Sequence, residues 1–102
     1  MIKKFTDEQT RKALSERGGW ELAEGRSAIT KKFKFRDFVN AWNFMDDVAG
    51  YADEQSHHPE WTNIYNRVEI TLMTHDVGGL TELDFDLADF IDEAAKSYDL
   101  SP

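Results

Sequence analysis

The chain has 102 residues, of which 40% are hydrophobic and 13% aromatic, and its formal net charge is −8. These values are typical of a single globular domain spanning residues 1–102, with enough apolar surface for one core. They argue against direct binding to nucleic acid or an anionic membrane, which needs a positive field. The lack of cysteine excludes disulfides, thiol nucleophiles and cysteine-ligated metals.

The first third of the chain predicts a helix followed by a β-hairpin. Thr6 begins a capping box, which predicts a helix that runs to about Ser15. Trp20 and Leu22 then alternate with a polar residue, as on a strand, and turn-forming residues follow. A second alternation over 29–35 predicts a strand that pairs with the first.

From about Arg36 the hydrophobic period changes from that of a strand to that of a helix. Apolar residues recur at i, i+3 and i+4, and the helix is expected to end before Pro59, which disfavours helical geometry at His58. The predicted core face of this helix consists of Phe38, Ala41, Trp42, Met45, Val48, Ala49 and Ala52.

The remaining sequence predicts two strands and a last helix. Residues 64–65 indicate a third strand, 66–67 a tight turn, and the alternation over 68–74 a fourth strand. A second capping box begins at Thr81 and predicts a helix reaching about Tyr98. The residues of the fourth strand that are expected to face the core are Val68, Ile70 and Leu72.

The predicted element order is helix, strand, strand, helix, strand, strand, helix. Because short turns join neighbouring strands antiparallel, the predicted fold class is α+β, a four-stranded antiparallel sheet with three helices packed on one face. Such a sheet leaves exposed edges, and small domains of this kind often complete it by dimerisation.

The two parts of the chain differ in charge. Residues 1–40 carry ten Lys or Arg and six Asp or Glu, whereas residues 41–102 carry two and fourteen. Two solvated faces of different charge account for this pattern, and a charge-steered partner is the alternative. No segment resembles a secretory leader or a membrane span, so we expect a soluble, cytoplasmic protein.

Three histidines are the strongest candidates for chemistry. His57 and His58 lie at the end of the predicted middle helix, and His75 lies at the end of the fourth strand. Imidazole has a reference pKa of about 6.5, so it exchanges protons near neutral pH. Asp53 would share a helix face with His57 and hydrogen-bond to it if the helix extends that far. Surface or capping roles for these histidines are the alternative.

Other kinds of site have weaker support in the sequence. Three histidines could bind zinc, but adjacent residues diverge in direction and no His-Glu-x-x-His spacing is present. Nucleophilic catalysis lacks a cysteine or a serine elbow. Asp84, at the third position of the last helix, is expected to cap that helix.

Aromatic residues could contribute a stacking surface for a flat heterocycle. Trp20 and Trp61 are the candidates for this role, with core packing as the alternative for both. The aromatic residues that are expected to belong to the core are Phe33, Phe38, Trp42 and Phe90.

The histidines and their surroundings resemble the signature of the pterin-4a-carbinolamine dehydratases. The likeness extends from about residue 20 to residue 98 and includes the His-His-Pro-Glu-Trp run. The family often has glutamate at the first motif position, where this chain has Asp53. The motif in this sequence reads Asp53-x3-His57-His58-Pro59-x5-Tyr65-x9-His75-x8-Asp84.

The resemblance implies an activity and an assembly. Members of the family dehydrate 4a-hydroxytetrahydropterin, such as 4a-hydroxytetrahydrobiopterin, to quinonoid dihydropterin in tetrahydrobiopterin recycling, with neither a metal nor an organic cofactor. They form homodimers or homotetramers of the fold predicted above. Two alternatives remain open: a role as dimerisation cofactor of a transcription factor, known for animal members, and a pterin-related role in molybdopterin metabolism. An exposed apolar helix face would favour the first.

The resemblance also implies roles for individual residues. His57 and His75 would transfer protons at the 4a-hydroxyl and the ring, and His58 would hold or orient the pterin. Asp53 would orient a histidine, and Asp84 would complete the polar site in addition to or instead of capping its helix. The two candidate tryptophans would pack near the bicyclic ring.

Overall fold

A computed structural model describes residues 2–100. The predicted order of helices and strands is confirmed, with one short 3₁₀ turn added before the last helix. The elements are α1 (Asp7–Ser15), β1 (Glu21–Leu22), β2 (Ile29–Lys34), α2 (Phe38–Gln55), β3 (Glu60–Ile64), β4 (Arg67–Leu72), the 3₁₀ turn (His75–Val77) and α3 (Glu82–Ala95).

The four strands form one antiparallel sheet in the order β1-β2-β4-β3. The central pair runs from Ile29 opposite Leu72 to Lys34 opposite Arg67, and β1 and β3 form the two edges. The predicted α+β class, with an antiparallel sheet covered by helices, is therefore confirmed.

The core lies between the sheet and the helices. Val68, Ile70 and Leu72 are buried as predicted, because successive strand residues point to opposite faces of the sheet. Side chains of β2, α2 and α3 complete this layer. The largest fully buried apolar residues are Phe35, Phe44, Ile29, Ile70, Leu72, Leu87, Ile91, Val48 and Val68.

Both predicted capping boxes are present. In α1 the backbone N–H of Gln9 donates to Thr6 Oγ1 at 3.1 Å, and the N–H of Thr6 donates to Gln9 Oε1 at 2.8 Å. In α3 Thr81 and Asp84 exchange the equivalent contacts. The helix starts are therefore set by local sequence, and α1 ends at Ser15 as predicted.

Several predicted element ends are wrong by a few residues. β3 covers Glu60–Ile64, and Tyr65, with φ of 51°, lies in the turn before β4. Polar residues inside β3 obscure the alternation of apolar and polar residues by which a strand is predicted. The bounds of the strand are set by its pairing with β4. β4 ends at Leu72, since Thr74 pairs with Gly79 instead. α3 ends at Ala95, before Tyr98.

The core face of α2 differs from the prediction. Its buried residues are Ala41, Phe44, Val48 and Ala52. Phe38 and Trp42 are 43% and 54% exposed, so their assignment to the core is wrong, as is that of Ala49. The rings of Phe44 and Phe35 have centroids 4.8 Å apart. With this contact, the side of α2 that carries Phe44 and Val48 faces the sheet in place of the side that carries Phe38 and Trp42.

The rotated face leaves an apolar surface exposed on α2. Phe38 and Trp42 stack on each other with centroids 6.1 Å apart, and Val39 beside them is 63% exposed. These three residues are called the α2 patch below. Phe33 is buried as expected, and Phe90 is half-buried and stacked on Tyr51. No helix within residues 2–100 combines the length and hydropathy needed to cross a bilayer.

Candidate functional site

All three histidines lie at one end of the sheet. His57 and His58 come directly before β3, and His75 follows β4. Glu60 is paired with Thr71 in antiparallel register, so the start of β3 and the end of β4 are adjacent. The fold therefore gathers residues that the sequence separates.

The end of α2 determines how the adjacent histidines differ. The helix ends at Gln55, and Ser56 adopts a left-handed conformation with φ of 52° and ψ of 37°. His57 is therefore not on a helix face with Asp53, so the condition set for a hydrogen bond between them is not met. Asp53 Oδ1 lies instead 3.3 Å from Nε2 of His58, and both side chains are exposed.

His57 forms a buried pair with Asp84. Its Nε2 lies 2.7 Å from Asp84 Oδ1, and the Asp84 side chain is fully buried. The other carboxylate oxygen, Oδ2, accepts hydrogen bonds from Thr74 Oγ1 at 2.8 Å and from the Thr81 N–H at 3.0 Å. Asp84 thus caps α3 and contacts His57 at the same time.

The surroundings of Asp84 hold this pair in a fixed orientation. The hydroxyl oxygens of Thr74 and Thr81 lie 2.8 Å apart, and within residues 2–100 every buried side-chain nitrogen or oxygen has a hydrogen-bond partner. A satisfied buried network of this kind restricts side-chain motion. Asp84 therefore contacts His57 through Nε2 and leaves Nδ1 as the other nitrogen of the ring.

His75 faces a carboxylate that the sequence analysis did not single out. Its Nε2 lies 3.6 Å from Oε2 of Glu60, the first residue of β3, and the imidazole is largely exposed. Arg26 holds Glu60 through two hydrogen bonds, Nη1 to Oε1 at 2.9 Å and Nη2 to Oε2 at 2.7 Å. The bonds from the guanidinium lower the pKa of Glu60, and the carboxylate raises the pKa of Arg26.

The two candidate tryptophans occupy different places. Trp20 is buried in the core, and its Nε1 donates to Asp92 Oδ2 at 3.0 Å. Asp92 is eight residues beyond Asp84 on α3, about 12 Å along the helix axis. Trp20 therefore packs at a distance from the histidines. Trp61 is half-buried on β3, directly after Glu60 and opposite Ile70.

Each histidine faces its own carboxylate, namely Asp84 for His57, Asp53 for His58 and Glu60 for His75. In the part of the chain that the structure describes, no three His, Asp or Glu side chains are grouped to hold a metal ion. Imidazole–carboxylate pairs orient the ring and stabilise the charge that it gains on protonation. The arrangement is therefore suited to proton transfer.

Comparison with known proteins identifies the family of the chain. The model of the family described as pterin 4 alpha carbinolamine dehydratase matches residues 3–94. The chain belongs to this family.

Two relatives provisionally named pterin-4-alpha-carbinolamine dehydratase illustrate the similarity. The protein from Rhodopseudomonas palustris (strain BisB18) is 52% identical over 88 residues, which are 86% of this chain and 87% of the relative. That from Burkholderia orbicola (strain MC0-3) is 52% identical over 95 residues, or 93% of each chain.

Two solved structures of other proteins have the same fold as this chain. A Brucella melitensis protein described as a transcriptional coactivator/pterin dehydratase superposes with a TM-score of 0.90 and 45% identity, covering 91% of this chain and 99% of that one. A pterin dehydratase-like protein described as a RuBisCO assembly factor of the alpha-carboxysome has a TM-score of 0.65 and 24% identity, covering 76% and 89%. The second likeness concerns the fold alone.

Proposed function

We propose that this chain catalyses the dehydration of 4a-hydroxytetrahydropterin to quinonoid dihydropterin and water, with 4a-hydroxytetrahydrobiopterin as the substrate in tetrahydrobiopterin recycling. The observation that carries the proposal is the set of three histidines at one end of the sheet, each facing a carboxylate. Membership in the dehydratase family supports the substrate class.

The reaction needs two proton transfers. An acid protonates the 4a-hydroxyl, and the C–O bond breaks as water leaves. The lone pair of the adjacent ring nitrogen forms the C=N bond, and a base removes the proton from that nitrogen. General acid–base groups typically contribute about 10²–10⁴-fold to such a step. Imidazole serves as either acid or base near neutral pH, so the scheme uses neither a metal nor an organic cofactor.

The surroundings of each histidine suggest its role in this scheme. His57, oriented by buried Asp84, exchanges a proton through Nδ1, and exposed His75 serves as the second proton-transfer group. His58, more exposed than His57 and beside Asp53, holds and orients the pterin. The two proton-transfer groups, His57 and His75, differ in burial. One of them is proposed to act at the ring nitrogen and the other at the hydroxyl that leaves as water.

Trp61 is the proposed apolar contact for the bicyclic ring. It is half-buried and follows Glu60 on β3, close to the histidines in the chain. Trp20 is left out of the proposed site because its indole is buried and bonded to Asp92. Aromatic faces bind flat heterocycles by stacking, so one exposed part of the Trp61 ring suffices for this role.

The purified chain is expected to dehydrate 4a-hydroxytetrahydropterin faster than the spontaneous reaction, and a metal chelator is expected to leave the rate unchanged. Stopped-flow absorbance of the substrate measures the dehydration rate. The double variant His57→Gln, His75→Gln serves as the inactive control. A wild-type rate equal to that of the double variant would refute the proposed function. A rate that falls with chelator would restore a metal-dependent mechanism.

A second property, self-association into a homodimer or homotetramer, is supported by the α2 patch. A stacked Phe38–Trp42 pair on a helix surface, with Val39 beside it, is a contiguous apolar area of the kind that marks interaction sites. We propose a second copy of this chain as its occupant. The same surface is the feature that favours an interaction-module function for the chain.

Trp42→Glu is expected to reduce the solution mass of the protein, because a charge in an apolar interface is not solvated. Light scattering after size-exclusion chromatography measures the mass. Asn43→Glu, on an exposed position of α2 outside the patch, is the matched control and should leave the mass unchanged. A wild-type protein that is monomeric, or a Trp42→Glu variant with the wild-type mass, would contradict the proposed interface.

A further inference from the structure

Arg26, Glu60 and His75 form a cluster that extends from β3 to the turn between β1 and β2. Arg26 lies in the turn between β1 and β2, Glu60 begins β3, and His75 begins the 3₁₀ turn. The Arg26 guanidinium binds both oxygens of Glu60, at 2.9 and 2.7 Å, and one of these oxygens lies 3.6 Å from His75 Nε2. Nη2 of Arg26 also lies 3.1 Å from Met73 Sδ.

We propose that Glu60, held by Arg26, is a positioning residue for His75: it fixes the orientation of the imidazole and stabilises the charge that the ring gains when it accepts a proton. This inference rests on the proposed dehydratase function, in which His75 transfers protons. No role was predicted from the sequence for Glu60 or Arg26, the two members of the cluster besides His75.

The geometry favours orientation over stability as the effect of this cluster. The side chains of Arg26, Glu60 and His75 are 41%, 44% and 71% exposed. Ion pairs at such exposure contribute little to the free energy of unfolding, because water screens them. A two-pronged guanidinium–carboxylate contact, in contrast, fixes the plane of the carboxylate. Glu60 is thereby held with one oxygen towards His75.

The charge of Glu60 matches this role. Hydrogen bonding to Arg26, the largest contribution, lowers the pKa of the Glu60 carboxyl, so this group is anionic at neutral pH and becomes protonated only well below it. An anion beside an imidazole stabilises its protonated form. Asp84 and Asp53 face the other two histidines, so with Glu60 each of the three histidines has a carboxylate neighbour.

Glu60→Gln is expected to lower kcat for dehydration about tenfold with KM changed less than twofold, since part of the general acid–base contribution is lost while binding remains. The matched control is Glu69→Gln, an exposed glutamate on the neighbouring strand β4. In a His75→Gln background, Glu60→Gln is expected to have no further effect, because it acts through His75. Equal kcat for the Glu60 and Glu69 variants, or a full tenfold loss without His75, would overturn the proposal.

A second readout does not depend on activity. Imidazole ¹H–¹⁵N spectra at one pH are expected to show His75 ring signals displaced by Glu60→Gln, which removes the anion, and also by Arg26→Gln, which releases the carboxylate from its fixed orientation. His58 signals should stay in place, and Glu69→Gln should displace neither. If the ring signals move but no variant or wild-type protein dehydrates the pterin, the proposed function fails and the positioning contact stands. If the protein is active and His75 signals do not move, the positioning proposal fails.

Discussion

Replacing His57 with glutamine is expected to lower kcat for dehydration by about 10²–10⁴-fold, the range typical of a lost general acid–base group. The glutamine amide reaches Asp84 Oδ1 in place of Nε2, so the buried carboxylate keeps a hydrogen-bond donor, but an amide cannot exchange the proton. Stopped-flow absorbance after subtraction of the spontaneous reaction measures the loss. Circular dichroism establishes that the variant is folded.

The adjacent histidine supplies the control for this prediction. His58→Gln changes an exposed ring whose proposed role is to hold the substrate, so we expect a raised KM with kcat within a few-fold of wild type. The opposite pattern, with full kcat in the His57 variant and loss of kcat in the His58 variant, would reverse the roles assigned to the two residues.

Asp84→Ala is expected to have the largest effect on stability among the site residues, about 3 kcal/mol. The substitution removes the partner of His57, Thr74 and the Thr81 N–H together. A buried polar group left without a partner costs about 1–3 kcal/mol, and loss of a helix cap about 0.5–2 kcal/mol. For a domain of this size the melting temperature should fall by roughly 15 °C, as measured by thermal circular dichroism.

Two variants serve as comparisons for Asp84→Ala. Thr6→Ala removes the exposed capping box of α1 and should cost only about 1 kcal/mol, because water replaces the lost contacts. Asp84→Asn keeps an oxygen for Thr74 and the Thr81 N–H, so we expect most of the stability to be retained while the rate falls. An Asp84→Ala variant no less stable than Thr6→Ala would show that the buried network contributes little.

The parts of the fold that sequence predicted correctly depend on local signals. Alternation along β4 identified Val68, Ile70 and Leu72 as core residues, since neighbouring positions on a strand face opposite sides. Capping boxes located the starts of α1 and α3, since their contacts span only three residues. Neither signal requires knowledge of the rest of the chain.

The core face of α2 could not be obtained in the same way. Two neighbouring stripes of the helix carry apolar residues, one with Phe38 and Trp42 and the other with Phe44 and Val48. Helical periodicity cannot choose between them, because both repeat at i, i+3 and i+4. The choice is made by Phe35 of the segment after β2, against which Phe44 packs.

The sequence singled out the three histidines, whose roles stay predictions, but it did not indicate which carboxylate each of them faces. The histidines stood out because they cluster in the chain, whereas the contact of His57 with Asp84 spans 27 positions and depends on the sheet and α3 together. An Asp53–His57 bond was expected only if the helix reached His57, and Ser56 ends the helix earlier in a left-handed conformation. The contact between Glu60 and Arg26, which lie 34 positions apart, gave no signal in the sequence.

The position of β3 at the edge of the sheet has a consequence for how the site responds to its ligand. Among residues 2–100 this strand pairs with β4 alone, and it carries Glu60 and Trp61 soon after the two adjacent histidines. Strands with one neighbour undergo local opening at a lower free energy than central strands, so their amide hydrogens exchange earlier. If the proposed pterin contacts this segment, it stabilises the paired form of β3, and adding the pterin therefore slows amide hydrogen exchange in this strand.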